Sequence, residues 1–344
     1  MPTVKVLIAA ALPPAVLEEL ASLNGDVQLT VLDDSQRRLL RSGITTNTSE
    51  EAQSLRSLLG ESEVIYFTGL GIGPDLHLLA EQARWMHTTA DGVDDLIRHG
   101  YGRGSYVFTN SAGPHAISIG EYITMQSLML VKGASGYVRR QLDHKWERVP
   151  ASERGGRAEL SGMTVGIVGL GAIGIAAAER LRALGCRIIA IRRSATGRQA
   201  EVGPAHELLP ATDLPYLLET SDIVALTLPL TPESHHLINA QTLALMRPSA
   251  YLINISRGGV IDEPALIEAL REHRIAGAAL DVFDHEPLPA DSPLWDLANI
   301  NITPHISTTS EHFPRRQADL FRENLRRYLA GEPLLNIVDA DRGY

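Results

Sequence analysis

Short apolar runs alternate with stretches of helical spacing along the whole chain. Residues 4–10 predict a strand, 13–23 a helix with proline near its start, and 27–32 a second strand. Residues 50–59 predict a helix, 64–68 a strand and 74–83 a helix, with further strands at 85–89 and 106–110. This β-α-β rhythm predicts a small parallel sheet with helices on its faces.

A long helical stretch, 114–144, follows. Its apolar positions include Ile119, Tyr122, Ile123, Met125, Met129 and Leu130, a face expected in a core or subunit contact. Residues 149–162 are polar and glycine-rich and predict a loop. The rhythm restarts at Met163, with strands expected at 164–168, 187–191, 223–228, 251–255, 278–282 and 301–303. Helices at 172–184 and 264–272 fall between them, so six strands predict a doubly wound parallel sheet. Residues 311–329 predict an amphipathic helix ended by Gly331. No internal repeat or low-complexity tract is evident.

The 344 residues suit two domains, and 44% hydrophobic with 21% charged residues excludes a mainly disordered chain. A net charge of −10 argues against nucleic acid as a partner. The single cysteine, Cys186, cannot form an internal disulfide and reads as a buried strand residue, which fits a cytoplasmic setting. No apolar run approaches the ~20 residues that span a bilayer. The apolar start at 4–12 has only Lys5 as basic flank and meets Pro13-Pro14, so a first strand explains it better than a signal segment. No metal site is expected.

Gly169-Leu170-Gly171-Ala172-Ile173-Gly174 is a G-x-G-x-x-G between a predicted strand and an alanine-rich helix. Gly169 permits the tight turn, Gly171 lets the backbone approach a pyrophosphate, and Gly174 allows close helix-to-strand packing. The helix start then offers N–H groups and a positive dipole end. An NAD site usually has Asp or Glu about 20 residues on, at the end of the next strand. Here Arg192, Arg193 and Ser194 stand there, and they suit a ribose 2′-phosphate. NADP is therefore expected over NAD.

Three stretches stand near the ends of late strands: residues 254–263 around Arg257, 281–289 around Glu286, and 303–307 around His305. With the glycine loop, they resemble the D-isomer-specific 2-hydroxyacid dehydrogenase family. Asn110-Ser111-Ala112-Gly113 leading to Glu121, the 228–233 stretch Leu-Pro-Leu-Thr-Pro-Glu, and Pro293-Leu294-Trp295 extend the resemblance over nearly the whole chain. The closing residues 338–344 look like the tail of the glyoxylate/hydroxypyruvate reductase branch.

The resemblance implies two Rossmann-like domains with the active site in the cleft between them. A flavodoxin-like substrate domain would comprise 1–111 plus 307–344, and an NAD(P)-binding domain 112–306. It implies reversible reduction of a 2-oxo acid to a D-2-hydroxy acid. Arg257 would hold the carboxylate and keto oxygen, His305 would act as general acid and base, and Glu286 would hydrogen-bond the imidazole and favour its charged form. Cofactor contacts are also expected from Ala172, Ile173, Leu228, Pro229, Thr231, Ile255, Ser256 and Asp281.

The family binds the substrate carboxylate through backbone N–H groups of a loop that matches Asp91 and Gly92 here. Asp91 departs from the usual small or apolar residue. Residues 66–72 are expected as a second pocket wall. Trp146 resembles a tryptophan that some members lend to the partner subunit's site, or is an ordinary interface residue. His87 is expected as a strand residue and His235-His236 as a solvated helix end. A homodimer through the coenzyme domain is expected. Alternatives are a nicotinamide-sensing, peptide-binding corepressor on the same fold, or a short phosphoglycerate or phosphite dehydrogenase. A formate dehydrogenase is disfavoured, because that branch has Gln at the position of Glu286.

Overall fold

The computed structural model describes residues 3–23, 27–69, 76–150 and 159–343. The chain divides into two compact units, residues 1–114 with 310–344, and residues 115–309.

The first unit holds strands β1 (Val4–Ile8), β2 (Val27–Val31), β3 (Val64–Phe67), β4 (Trp85–Thr88) and β5 (Val107–Thr109). They form a parallel sheet in the order β2-β1-β3-β4-β5. Every residue of β3 and β4 is buried, as expected for a parallel sheet covered on both faces. Helices α1 (Pro14–Ala21), α2 (Asp34–Ser42), α3 (Glu50–Glu61), α4 (Leu76–Leu79) and α5 (Asp94–Arg98) connect the strands. The C-terminal helix α12 (Phe313–Ala330) joins this unit and ends at the left-handed Gly331. Its Ala318, Phe321 and Leu325 pack with Val6, Ile8, Tyr66 and Trp85. Leu7, Leu55, Leu59, Phe67 and Met86 belong to a second core cluster.

Helix α2 has no counterpart in the hydrophobic pattern. Asp33 and Gln36 form a capping box there, and only Leu40 is buried. The helix is set by its cap more than by an apolar stripe. The expected pocket wall at 66–72 is corrected in part. Tyr66 is fully buried in the core, and its hydroxyl has no hydrogen-bond partner among the described residues. Residues 70–72 lie outside the described residues, as do 74–75 of the expected helix 74–83 and 151–158 of the expected loop.

The second unit begins with α6 (Ala116–Lys132) and α7 (Ala134–Leu142). A single helix over 114–144 was expected. Gly133, at φ 67°, breaks it by capping α6 in the left-handed region. Eight strands follow: β6 (Thr164–Val168), β7 (Arg187–Ile191), β8 (Gln199–Val202), β9 (Ala205–Leu209), β10 (Ile223–Leu226), β11 (Tyr251–Asn254), β12 (Gly277–Leu280) and β13 (Ile300–Ile302). Their order is β13-β12-β11-β10-β6-β7-β9-β8.

Six of these were expected. The added pair, β8 and β9, is an antiparallel hairpin that extends the sheet beyond β7. Strand β8 reads Gln-Ala-Glu-Val and is largely exposed, so it carries no hydrophobic signal. Helices α8 (Ala172–Ala183), α9 (Leu214–Thr220), α10 (Ala240–Leu243) and α11 (Glu263–Arg271) complete the unit. Ile119 and Ile123 of α6 share one core with Ala177 and Leu181 of α8. Leu217 and Leu266, from α9 and α11, belong to the other. A Cβ on Gly120 would lie 3.0 Å from the Ala176 backbone, which shows how closely α6 and α8 approach. Cys186 is free and buried one residue before β7, and burial pushes its thiol up to about 11. His235 and His236 lie in a turn, not at a helix end, with rings stacked 3.9 Å apart.

Candidate active site

Strands β6, β10, β11, β12 and β13 are parallel neighbours, so their carboxyl ends share one edge of the sheet. The glycine loop leaves β6. Gly169 has φ 108°, and a Cβ there would sit 2.8 Å from the Thr227 carbonyl oxygen. A Cβ on Gly174 would lie 2.5 Å from the Gly169 carbonyl oxygen. Gly171 faces open space: a Cβ there would meet nothing within 4 Å. Helix α8 starts at Ala172 and Ile173 with no side-chain cap. These features fit a pyrophosphate: room at Gly171, uncapped N–H groups, and a positive helix end.

Arg192 follows β7, and its Nε donates to the Leu170 carbonyl at 3.0 Å. That bond ties the guanidinium to the glycine loop. Arg193 and Ser194 are exposed beside it. After β10, Leu228 is half-buried, Pro229 is exposed, and Thr231 is buried with its N–H donated to Ser234 Oγ at 2.7 Å. The Thr231 hydroxyl, and more weakly Arg193, hold the Glu233 carboxyl below the usual range. After β11, Ile255 and Ser256 are buried, and Ser256 donates its N–H and hydroxyl to Asn254 Oδ1 at 3.0 and 2.7 Å.

Arg257 comes next, half-buried, with Nη1 donating to the Ser256 carbonyl at 2.9 Å. A Cβ on Gly258 would collide with the Phe283 carbonyl group. The loop carrying Arg257 therefore lies directly against the loop carrying Glu286. Glu286 Oε1 accepts the Phe283 N–H at 3.0 Å, and Oε2 lies 2.8 Å from His305 Nδ1. Two of the three expected catalytic side chains are thus in direct contact, and the third stands on an abutting loop. The His305 side chain is 44% exposed.

The backbone of His305 is left-handed, at φ 54°, and its N–H donates to the Asp281 carbonyl at 2.9 Å. Asp281 is fully buried. Its Oδ1 accepts from the Thr303 hydroxyl at 2.5 Å and the Ile306 N–H at 2.9 Å, and its Oδ2 accepts from the Ser307 N–H at 2.8 Å. Asp281, expected among the cofactor contacts, thus braces the loop on both sides of His305. Thr303 and Tyr122, whose oxygens lie 2.5 Å apart, extend this brace to α6. The apolar pattern reads Tyr122 as part of a core or subunit-contact face and gives no sign of this bond. Burial pushes its hydroxyl up to about 12, so it stays protonated.

In the first unit, Asp91 is half-buried and Gly92 exposed, between β4 and α5. Trp146, in the second unit, is fully exposed. No group of three His, Cys, Asp or Glu side chains able to hold a metal occurs among the described residues. No helix among them is long and apolar enough to cross a membrane.

Residues 124–307 match the family model described as D-isomer specific 2-hydroxyacid dehydrogenase, NAD binding domain. The chain is 37% identical over 276 residues to a glyoxylate reductase of Korarchaeum cryptofilum, covering 78% of this chain and 77% of that one. It is 32% identical over 301 residues to a D-3-phosphoglycerate dehydrogenase of Methanocaldococcus jannaschii, covering 86% of this chain but 55% of that one. Among solved structures, a D-isomer specific 2-hydroxyacid dehydrogenase from Xanthobacter autotrophicus, in complex with NADPH and MES, superposes with a TM-score of 0.78 at 28% identity. That likeness covers 100% of both chains. The fold, the glycine loop and these relatives agree that the chain belongs to the D-isomer-specific 2-hydroxyacid dehydrogenase family and is an NAD(P)-dependent oxidoreductase.

Proposed function

We propose that the protein reduces a small 2-oxo acid, of the glyoxylate or hydroxypyruvate kind, to the D-2-hydroxy acid, with NADPH preferred over NADH. The observation that carries this reading is the 2.8 Å contact between His305 Nδ1 and Glu286 at the carboxyl ends of adjacent strands. When bound, the nicotinamide supplies the hydride.

The residues of the chain divide the remaining tasks. Arg257 presents a planar fork to the carboxylate and the keto oxygen. Glu286 accepts a proton-bearing Nδ1, which leaves Nε2 of His305 to give its proton to the keto oxygen. In the reverse direction Nε2 takes that proton back. The half-exposed ring then exchanges protons with solvent. For the loop at Asp91 and Gly92 we propose the family's anion-accepting role, through the N–H groups of Gly92 and Val93. Neither N–H makes a hydrogen bond among the described residues.

Arg192 and Arg193, with Ser194, support NADPH. No carboxylate stands among them to accept the ribose hydroxyls, and guanidinium groups favour a phosphate. We also propose a homodimer through the second unit. Ile117, Met125, Tyr137, Val138 and Leu142 of α6 and α7 are exposed apolar side chains, and Leu142 is 75% exposed. A phosphorylated three-carbon acid is a second reading, favoured by the similarity to D-3-phosphoglycerate dehydrogenase.

The test is oxidation of NADPH and NADH in parallel with glyoxylate, hydroxypyruvate, phosphohydroxypyruvate, pyruvate and phenylpyruvate. Turnover that prefers NADPH and collapses in His305→Ala is expected. No turnover with any of these acids would overturn the reading. Light scattering on the same preparation reads the oligomeric state.

A further inference from the structure

Four consecutive carbonyl groups in the first unit are fastened by donors from two other segments. The Ser111 hydroxyl donates to the Thr88 carbonyl at 2.9 Å, and Gln317 Nε2 donates to that of Thr89 at 2.6 Å. The Ser111 N–H donates to Ala90 at 2.9 Å, and Asn110 Nδ2 to Asp91 at 2.6 Å. Gly69 backs the same loop: a Cβ there would collide with the Ala90 methyl group. The loop entering Gly92 therefore has its carbonyl edge pinned, one residue before the N–H groups of Gly92 and Val93.

His87 sets the direction of this array. The Trp85 indole can only donate, and it donates to Thr109 Oγ1 at 2.8 Å. The Ser111 hydroxyl gives its one proton to Thr88. So His87 Nε2, 3.1 Å from Ser111 Oγ, must carry the proton of that bond. Nδ1, 2.7 Å from Thr109 Oγ1, must then accept from Thr109. One directed chain runs from Trp85 through Thr109, His87 and Ser111 to the Thr88 carbonyl. Gln317 Nε2 also reaches Ser111 Oγ, at 3.4 Å, and so ties α12 to the same point. The ring of His87 is fully buried against Tyr66, Trp85 and Phe321. A core position that needed only volume would take an apolar residue, because each buried polar atom here requires a partner.

We propose that His87 and Gln317 are positioning residues that hold the 88–92 loop so that the N–H groups of Gly92 and Val93 meet the substrate carboxylate. This rests on the anion-accepting role assigned to that loop above. Neither side chain would touch the substrate. Without the His87 donor, the Ser111 hydroxyl is free to turn, and the carbonyl of Thr88 loses its fixed partner.

The test compares the unaltered full-length enzyme with His87→Leu, His87→Gln and Gln317→Leu. Gln at 87 keeps one donor and one acceptor. Expected in both Leu variants is a rise of about tenfold in KM for the best 2-oxo acid, with kcat changed far less. The Kd for NADPH should stay the same, and amide exchange across 88–93 should quicken. His87→Gln should recover most of the KM. Turnover with an unshifted KM and unchanged exchange in both Leu variants, whatever happens to Tm, would overturn the proposal alone. The absence of any 2-oxo acid turnover by the unaltered enzyme would overturn the parent reading, and this role with it.

Discussion

His305 Nδ1 lies 2.8 Å from Glu286 Oε2, although 19 residues separate them in sequence. Their strands, β13 and β12, are adjacent, so the end of each delivers one partner. Glu286→Leu removes the acceptor for Nδ1 and frees the ring to rotate or change tautomer. We expect kcat for 2-oxo acid reduction to fall about 100-fold, with KM for the acid changed little. Steady-state kinetics check this. A fall confined to KM would count against Glu286 as the orienting group.

Gly258 presses on the Phe283 backbone, with no room for a methyl group. Gly258→Ala should push the Arg257 loop away from the Glu286 loop. Loss of about 1–3 kcal/mol of stability is expected from the overpacking. A kcat/KM loss larger than that seen on warming the unaltered enzyme to the same fraction of its Tm would show displaced chemistry. Calorimetry and the reductase assay measure the two effects.

Asp281→Asn would put an amide donor against the donors Thr303, Ile306 or Ser307, in a fully buried position. An unsatisfied buried pair costs about 1–3 kcal/mol. The loop around His305 should loosen, lowering both the urea midpoint and kcat. Unchanged kcat with a lowered midpoint would assign Asp281 to the fold alone.

Arg193→Ala tests cofactor choice with the Leu170 bond of Arg192 left intact. A charge-assisted hydrogen bond contributes about 1.5–3 kcal/mol, so KM for NADPH should rise about tenfold or more. KM for NADH should move less than about twofold, because that cofactor has no 2′-phosphate to lose a partner. Equal changes for both cofactors would remove the 2′-phosphate assignment.

Acid stability carries a signature of His87. Burial pushes its pKa down to about 3, against an ordinary value near ~6.5 in the unfolded chain. Below ~6.5 the unfolded chain binds a proton that the folded ring refuses. The contribution of neutral His87 is therefore fully present above that pH and is lost as the pH falls towards 3. The slope approaches ~1.4 kcal/mol per pH unit. His87→Gln should flatten the urea midpoint between about pH 6.5 and 4.5, relative to the unaltered protein. The groups that face the ring are Thr109, Ser111, Tyr66, Trp85 and Phe321, and none of them is charged at these pH values.

Strands buried on both faces were legible because their buried stretches are almost wholly apolar, as at 165–168 and 251–253. Elements held by other means left no such mark. Helix α2 rests on the Asp33 cap with one buried residue, and β8 is an edge strand without an apolar face. The break at Gly133 was hidden because apolar spacing continues on both sides of it, while the backbone turns left-handed between them.

The sequence by itself determined the chemistry available. The order Gly-x-Gly-x-x-Gly, Arg257, Glu286 and His305 is readable in one dimension because the roles proposed for them follow from residue type and spacing alone. Only the tertiary structure decided how those groups are held. The brace from Tyr122 through Thr303 to Asp281, and the chain from Trp85 through His87 to Ser111, join residues far apart in the chain. Hydrogen bonds reach only about 3 Å and depend on direction, so a partner cannot be read from spacing along the chain. It is set by which strand ends the parallel sheets bring side by side.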